Sequence, residues 1–320
     1  MLPGQNNAEE DIPFVAVYMI TYNHASYISM AIEGILMQKT TFKYKLFIGD
    51  DFSTDNTRNI CLSYKEKYPD RIKLFLNEKN IGPNNNARNI YAACHSSGAK
   101  YVAMCEGDDY WTDPFKLQKQ VDFLEKNPQY SFCFHKVFGY EHDRNIGENP
   151  LLDDARTFGI EDLIIDWKVN TCSLVYKKAA LTGPLLHMPD VAAADYAICL
   201  ALALNGPYYY LPDNMAVYRR HAGSVTHTGM LSGLNLVNDT KKLFSAFNAA
   251  TAFRYKRLVE KKILFTYLNV FTRSGASLNG WGRQKLKWIV LRGALKDVPR
   301  ACAGNWRLII GDLIMERSLK

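Results

Sequence analysis

What most constrains the fold of this chain is a repeated switch of hydrophobic period in its first third. The runs PFVAVYMITYN, KYKLFIGDD, RIKLFLNE and KYVAMCEGDD are short, rich in β-branched and aromatic residues, and bounded by polar ones, which predicts buried strands. Between them, apolar residues recur at helical spacing. Ile28, Ala31, Ile32, Ile35 and Leu36 follow Ser26, the expected N-cap, and a second helix runs from Thr57 to Tyr68, stopped by Pro69. A third, NNARNIYAACHSSG, is closed by Gly98. Strands that alternate with helices of this length form βαβ units and a largely parallel sheet, covered on both faces.

Beyond Asp109 the rhythm loosens. A charged helix is expected from Leu117 to Lys126, then an aromatic strand, YSFCFHKVFGY, and an exposed polar loop from Glu141 to Arg156. A further strand, TCSLVYKK, precedes a helix, DYAICLALAL, and the run YYYLPDNMAVYRRH. Residues 221–240, with Gly, Ser, Thr and His, read as a mobile loop. Helical patterns return from Arg254 to Phe271 and from Gln284 to Leu295, and there is no internal repeat.

The net charge of +7 hides an asymmetry: residues 254–320 hold 15 Lys+Arg against 4 Asp+Glu, so the body before them is mildly acidic. Two readings of this basic tail stand side by side. In one, Trp281, Trp288 and Trp306 sit at headgroup depth while the cations meet anionic lipid. In the other, a basic helical bundle packs on the body or on a second copy, giving a homo-oligomer. No nucleic-acid-reading motif accompanies the charge, so nucleic acid is not expected as a partner. Seven scattered Cys without a CxxC pair argue against a disulfide framework or a zinc site. With a polar, acidic N-terminus and no run of about 18 apolar residues, the expected location is the cytoplasm, with peripheral contact at the inner face of the cell membrane.

In open α/β sheets ligands bind beyond the carboxyl ends of the strands. Here those ends carry Thr21, Tyr22 and Asn23, then Asp50 and Asp51, then Glu106, Asp108 and Asp109. Neither GxGxxG after the first strand nor GxxxxGK[ST] anywhere is present, which excludes the usual glycine cradles for dinucleotides and triphosphates. Carboxylates gathered at one sheet edge repel one another unless a cation joins them. A hard divalent ion, Mg²⁺ or Mn²⁺, is the usual solution, bridging carboxylates to substrate phosphates. A lone DD pair at a strand end is otherwise a solvated turn or helix cap.

The segments TYNH, GDDFSTDNT, NIGPNNNARN and CEGDDYWTDPFKLQKQVDFLE, in this order and at these strand ends, resemble the family 2 glycosyltransferases. The resemblance covers about residues 12–222 and is nearest to the bacterial branch that builds lipopolysaccharide, capsule and other surface glycans. It implies a GT-A fold: α/β, Rossmann-like, with a mixed, mainly parallel sheet flanked by helices, over residues 1–225. A basic, mainly helical region would follow over 226–320.

The same resemblance implies residue roles. Thr21, with Tyr22 and Asn23, would contact the nucleotide from the first strand; Asp50 and Asp51 would accept from the uracil imide and hold the ribose. Arg88 approaches the nucleotide from the third helix, or is a helix-surface Arg. Glu106, Gly107 and Asp108 occupy the place of the DxD motif, with Asp108 as metal ligand and Asp109 close to the sugar or the ion. Glu106 departs from the motif's Asp. Tyr110 and Trp111 either stack on a sugar face or pack behind the turn. Asp195 at a helix start is the expected base, or a helix cap. In YRRHAGSVTH, His221 would ligate the metal or touch a phosphate, or is a surface-loop His, and Arg219 or Arg220 would counter the phosphate charge, while residues 221–232 would form a lid. His24 and His135 are read as structural.

Together these imply an inverting, metal-dependent transfer from a UDP-sugar to a glycan or lipid-linked acceptor. A metal-dependent nucleotidyltransferase and an inactive nucleotide- or glycan-binding relative of the same fold remain as alternatives. The nucleotidyltransferase would usually carry a glycine-rich, lysine-containing N-terminal loop, which the sequence lacks.

Overall fold

The computed structural model describes residues 12–141, 144–182, 191, 193–221, 223, 233–275 and 280–298. They divide into two compact units. The first comprises Met1–Gly159, Lys168–Thr182 and Leu202–Arg220; the second comprises Ile160–Trp167, Gly183–Ala201 and His221–Lys320.

The first unit is built on one mixed sheet. Its strands are β1 (Val15–Thr21), β2 (Tyr44–Asp50), β3 (Ile72–Leu76), β4 (Tyr101–Met104), β5 (Tyr110–Trp111), β6 (Phe132–Glu141), β7 (Arg144–Asn149), β8 (Arg156–Phe158), β9 (Val175–Lys177) and β10 (Tyr208–Arg220). The order is β3-β2-β1-β4-β9-β6-β10-β5, with β7 on β6 and β8 on β10. Pairing is parallel through β3, β2, β1 and β4 and again between β6 and β10, and antiparallel elsewhere. The helices between these parallel strands are α1 (Ile28–Leu36), α2 (Thr57–Lys67) and α3 (Pro83–Ser96); α4 (Lys116–Lys126) follows β5. The expected α/β architecture with a mixed, mainly parallel sheet is present.

The strands form where sequence and burial agree. Val15 to Met19 of β1 are all buried, between β2 and β4. Each large apolar side chain so covered contributes about 1.5–3 kcal/mol. Helix α1 presses Ile28, Ala31, Ile32 and Ile35 into the same core. It approaches β5 so closely that a Cβ on Gly34 would lie 2.7 Å from the Trp111 carbonyl oxygen.

Local expectations differ at four places. Ser26 does not cap α1: the N-cap is Tyr27, and the His24 carbonyl accepts from the Tyr27 and Ile28 N–H groups, so backbone closes the first turn. Within TCSLVYKK, only Val175–Lys177 is strand, preceded by a 3-10 turn over Thr171–Ser173. The polar stretch 141–156 contains β7, paired antiparallel with β6 from Val137↔Asn149 to Glu141↔Arg144. Its residues are nearly all exposed, so it carries no apolar alternation to read; backbone pairing holds it. Residues 233–240 begin a helix rather than extend a loop, and the expected lid residues 224–232 lie outside the described residues.

In the second unit, α7 (Gly233–Ala250), α8 (Lys256–Gly275) and α9 (Gly280–Asp297) follow one another, and α5 (Ile160–Ile165) packs on α8. Val237, Thr240, Leu243, Phe244 and Phe247 form the buried stripe of α7. The Asp297 carboxylate of α9 accepts from Tyr267 of α8 and pairs with Lys241 of α7, both at 2.6 Å. Helix α6 (Ala194–Ala203) carries Tyr196, whose hydroxyl donates to the Leu163 carbonyl at 2.6 Å and whose ring stacks on Trp167. Residues 160–167, which hold α5, and 194–201 of α6 thus belong to the same compact unit as the later helices. Of the tail tryptophans, Trp288 is exposed; Trp306 and the Trp281 side chain lie outside the described residues. No described helix is long and apolar enough to cross a membrane.

Candidate active site

The site is assembled where β2, β1 and β4 end side by side. Thr21 is in register with Asp50, so the last residues of β1 and β2 lie together. Past β4 the chain keeps alongside β1: Cys105 N–H donates to the Tyr18 carbonyl at 3.0 Å and Gly107 N–H to the Ile20 carbonyl at 2.9 Å. Gly107 is therefore pressed against Thr21, where a Cβ would fall 2.7 Å from Thr21 Oγ1. The two acidic pairs thus flank β1 at one sheet edge, as their strand-end positions predicted.

The loops after β1 and β2 are stitched together. Asn23, in a left-handed conformation, donates its N–H to Ser53 Oγ at 3.0 Å and accepts from the Thr54 N–H at 2.8 Å. His24 N–H donates to Thr57 Oγ1 at 2.8 Å and Ala25 N–H to Asp55 Oδ2 at 3.0 Å.

Asp50 and Asp51 sit inside this frame rather than on its surface. Asp50 is fully buried; its Oδ2 accepts from Arg58 Nε at 2.7 Å, and Arg58 also donates to the Asn77 carbonyl at 2.7 Å. Asp51 accepts from Asn77 Nδ2, Ile81 N–H and Gly82 N–H, each at 2.9 Å. Both carboxylates are buried; Asp51 uses both of its oxygens within the protein, whereas Asp50 Oδ1 makes no hydrogen bond. In this structure Asp50 holds Arg58, and Asp51 holds the loop from Asn77 to Gly82. Arg58 had no signal in the sequence beyond its helix, and the loop was marked only by the NIGPNNNARN segment. Phe52 is the other feature missed: an exposed aromatic residue with φ of 60°, its ring centroid 5.3 Å from the Arg58 guanidinium. A bulky side chain in that backbone region is an uncommon, strained choice.

The acidic turn after β4 is where charge concentrates. One carboxylate oxygen from each of Glu106, Asp108 and Asp109 lies within 4.8 Å of the others. Asp109 is buried: its Oδ1 accepts from the Arg219 N–H at 2.8 Å, while its buried Oδ2 makes no hydrogen bond, with the Cys172 thiol close by. Burial first, and then the Asp108 charge, hold the Asp109 carboxyl well above the usual carboxylate range. Three hard oxygen donors with one orphaned buried oxygen among them fit a divalent cation of the Mg²⁺ or Mn²⁺ kind. His24 also reaches this turn. Its Nδ1 lies 3.2 Å from Thr21 Oγ1 and its Nε2 4.0 Å from Asp108 Oδ2. It was read as structural because nothing in sequence separation ties residue 24 to residue 108; the parallel pairing of β1 and β4 does.

The other expected residues fall as follows. The Arg219 guanidinium donates to the Asp108 carbonyl at 2.8 Å and lies over the Tyr110 ring, 4.2 Å to its centroid. Trp111 is buried, with Nε1 donating to the Cys172 carbonyl at 2.9 Å and Lys116 Nζ 4.0 Å from its ring centroid. Of the two roles open to Trp111, the structure gives packing, not stacking on a sugar. Arg88 is an exposed residue of α3, with Nη1 donating to Asn85 Oδ1 at 3.0 Å. Asp195 stands in the first turn of α6, and the Tyr196 N–H donates to its Oδ1 at 2.9 Å. His221 comes directly after β10, its Nδ1 accepting from the Gly223 N–H at 3.2 Å. Asp195 and His221 belong to the second unit.

The sequence profile of Glycosyl transferase family 2 matches residues 16–180, just over half of the chain, from β1 to past β9. An uncharacterised protein of Mycobacterium tuberculosis is 35% identical over 215 residues, 67% of this chain; the aligned stretch spans 61% of that relative's length. TuaG of Bacillus subtilis, named as a teichuronic acid biosynthesis glycosyltransferase, is 31% identical over 67% of this chain and 82% of its own length. Among solved structures, Staphylococcus aureus TarS in complex with UDP-GlcNAc has a TM-score of 0.67 over 90% of this chain and 83% of its own, at 17% identity, a likeness of fold. The profile spans the acidic strand ends just described, and with them on one sheet edge the chain belongs to glycosyltransferase family 2, on a GT-A fold.

Proposed function

We propose that the chain is an inverting glycosyltransferase that moves a sugar from a UDP-sugar to a hydroxyl of a glycan or lipid-linked acceptor in bacterial surface-polysaccharide synthesis. The observation that carries this reading is the Glu106–Asp109 turn laid against the end of β1, with a buried, orphaned carboxylate oxygen among its donors. The naming of TuaG for teichuronic acid biosynthesis and the UDP-GlcNAc bound by TarS support the choice of surface-polysaccharide synthesis and of a UDP-sugar donor.

In this reading Asp108, with Glu106, Asp109 and His221, holds Mn²⁺ or Mg²⁺, which when bound supplies positive charge against the diphosphate. Thr21, Tyr22 and Asn23 meet the nucleotide, with the exposed rings of Tyr22 and Phe52 offering faces for the base. Asp50 and Asp51 fix the walls of the base pocket, and Arg88 approaches it from α3. Arg219 keeps the acidic turn in place. Asp195 takes the proton from the acceptor hydroxyl, which attacks the anomeric carbon from the face opposite the leaving UDP; one displacement inverts the configuration. The basic helices α8 and α9 give the chain a surface for the anionic inner face of the cell membrane, where a lipid-linked acceptor resides.

The test is a UDP-release and product assay across UDP-sugars, run beside thermal denaturation. Asp195→Asn is expected to abolish transfer while UDP-sugar with Mn²⁺ still stabilises the fold. Asp108→Ala is expected to lose that stabilisation, and EDTA to mimic it in the unaltered protein. Full turnover in Asp195→Asn would remove the base, and activity indifferent to EDTA would remove the metal.

A further inference from the structure

We infer that His24 is a direct nitrogen ligand of the divalent cation at Asp108 and biases that site toward Mn²⁺ over Mg²⁺. The inference rests on the reading of the acidic turn as a metal site and adds to it a residue and a selectivity.

Three observations meet at His24. The first is reach: Nε2 and Asp108 Oδ2 are 4.0 Å apart, with both side chains largely buried. That separation is longer than a hydrogen bond between them. Two ligands of one ion, each at about 2.1 Å, stand between ~3 Å and ~4.2 Å from each other, so the gap is the size of a shared cation. The second is orientation. Thr21 Oγ1 stands 3.2 Å from Nδ1 on the far side of the ring. In the tautomer in which that hydroxyl accepts, the proton sits on Nδ1 and Nε2 is the nitrogen on the Asp108 side, the arrangement by which metal-bound imidazoles are held. The third is fixation: His24 N–H donates to Thr57 Oγ1 at 2.8 Å and the His24 carbonyl closes the first turn of α1. The ring is thus carried on backbone anchored from two sides.

Selectivity follows from donor chemistry. Mg²⁺ takes oxygen ligands and holds its waters, so an imidazole adds little to its binding. First-row transition ions accept nitrogen readily, so the same imidazole strengthens the site for Mn²⁺.

The experiment uses the full chain loaded with Mn²⁺ and UDP and reads electron spin-echo modulation from directly bound ¹⁴N. It is run on the unaltered protein, on His221→Asn, and on His24→Asn with His24→Gln as a second variant. The modulation is expected to persist in His221→Asn and to be lost or reduced by about half in both His24 variants. In metal titrations followed by thermal shift, the His24 variants are expected to bind Mn²⁺ about tenfold more weakly and Mg²⁺ within about threefold of the unaltered protein. Unchanged ¹⁴N modulation with an unchanged Mn²⁺/Mg²⁺ ratio in both His24 variants overturns the inference while leaving the metal site standing. Absence of any Mn²⁺-dependent UDP binding in the unaltered protein overturns the site itself.

Discussion

Arg219 holds the turn after β4 from two directions: its backbone N–H donates to Asp109 Oδ1 and its guanidinium donates to the Asp108 carbonyl, each at 2.8 Å. The first bond survives any substitution except proline; the second does not. Arg219→Ala is expected to lower stability by about 1–2 kcal/mol. Metal-dependent UDP binding should weaken about tenfold as the Asp108 backbone loosens, with partial recovery in Arg219→Lys. Thermal denaturation with and without UDP and Mn²⁺ reads both effects.

Gly107 marks the closest approach of the acidic turn to β1. A methyl group there would overlap Thr21 Oγ1 and Cβ, at 2.7 and 2.8 Å, and Thr21 is itself buried and cannot yield freely. Gly107→Ala should cost about 1–3 kcal/mol by overpacking. Because the strain falls on the turn that carries Asp108, nucleotide binding should fall further than stability predicts, which a titration of UDP against the melting temperature would measure.

Asp50 and Arg58 form a pair in which the acid is fully buried and the base is one quarter exposed. Removing the base alone strands a buried carboxylate, so Arg58→Ala should destabilise by about 2–4 kcal/mol. Asp50→Asn in the same chain removes the stranded charge, and the double variant should be more stable than the sum of the single changes by 1 kcal/mol or more, as an order of magnitude. Denaturant unfolding of the four proteins closes the cycle, and strict additivity would deny the coupling.

Much of this was legible in the sequence, and the reasons differ by residue. The period switches located β1 to β3 and the first three helices within about two residues, because each element buries one continuous apolar face; the run read as the fourth strand overran β4, which ends at Met104, into the acidic turn. The strand-end acids were visible because a parallel sheet brings all its carboxyl ends to one rim. His24 and Arg58 were not, since their partners come from across the sheet edge and from the next loop. Trp111 read equally as a sugar platform or as core, and only its buried indole N–H on the Cys172 carbonyl decides. How far the chain itself fills the lone pairs of Asp50 and Asp51 was not legible in the sequence: Asp51 accepts three hydrogen bonds, while Asp50 Oδ1 accepts none.

Lys116 is buried without a carboxylate, its ammonium donating to Gln120 Oε1 at 2.8 Å over the Trp111 ring. Burial pushes its pKa from 10.5 down to about 8. Below about pH 8 both the folded and unfolded chains hold the proton and the penalty for burying the charge is complete. Between 8 and 10.5 the unfolded chain binds the proton that the folded one has shed, so stability rises with pH; above 10.5 the penalty is gone. The stability difference between Lys116→Met and the unaltered protein should therefore shift by about 2–3 kcal/mol in favour of the latter across that window. Denaturant melts of both proteins at pH 7, 9 and 10.5 test it, and a pH-independent difference would mean that the lysine keeps its charge.

The hydrogen bonds that tie Asn23, His24 and Ala25 to Ser53, Thr57 and Asp55 make two loops, far apart in the chain, into a single mechanical part. Replacements introduced in one of them to alter donor preference will be transmitted to the other, and through Thr57 to the ring beside Asp108. Under the proposed function, libraries that aim to change which sugar is accepted should therefore randomise both segments jointly, because a change in one removes the hydrogen-bond partners of the other.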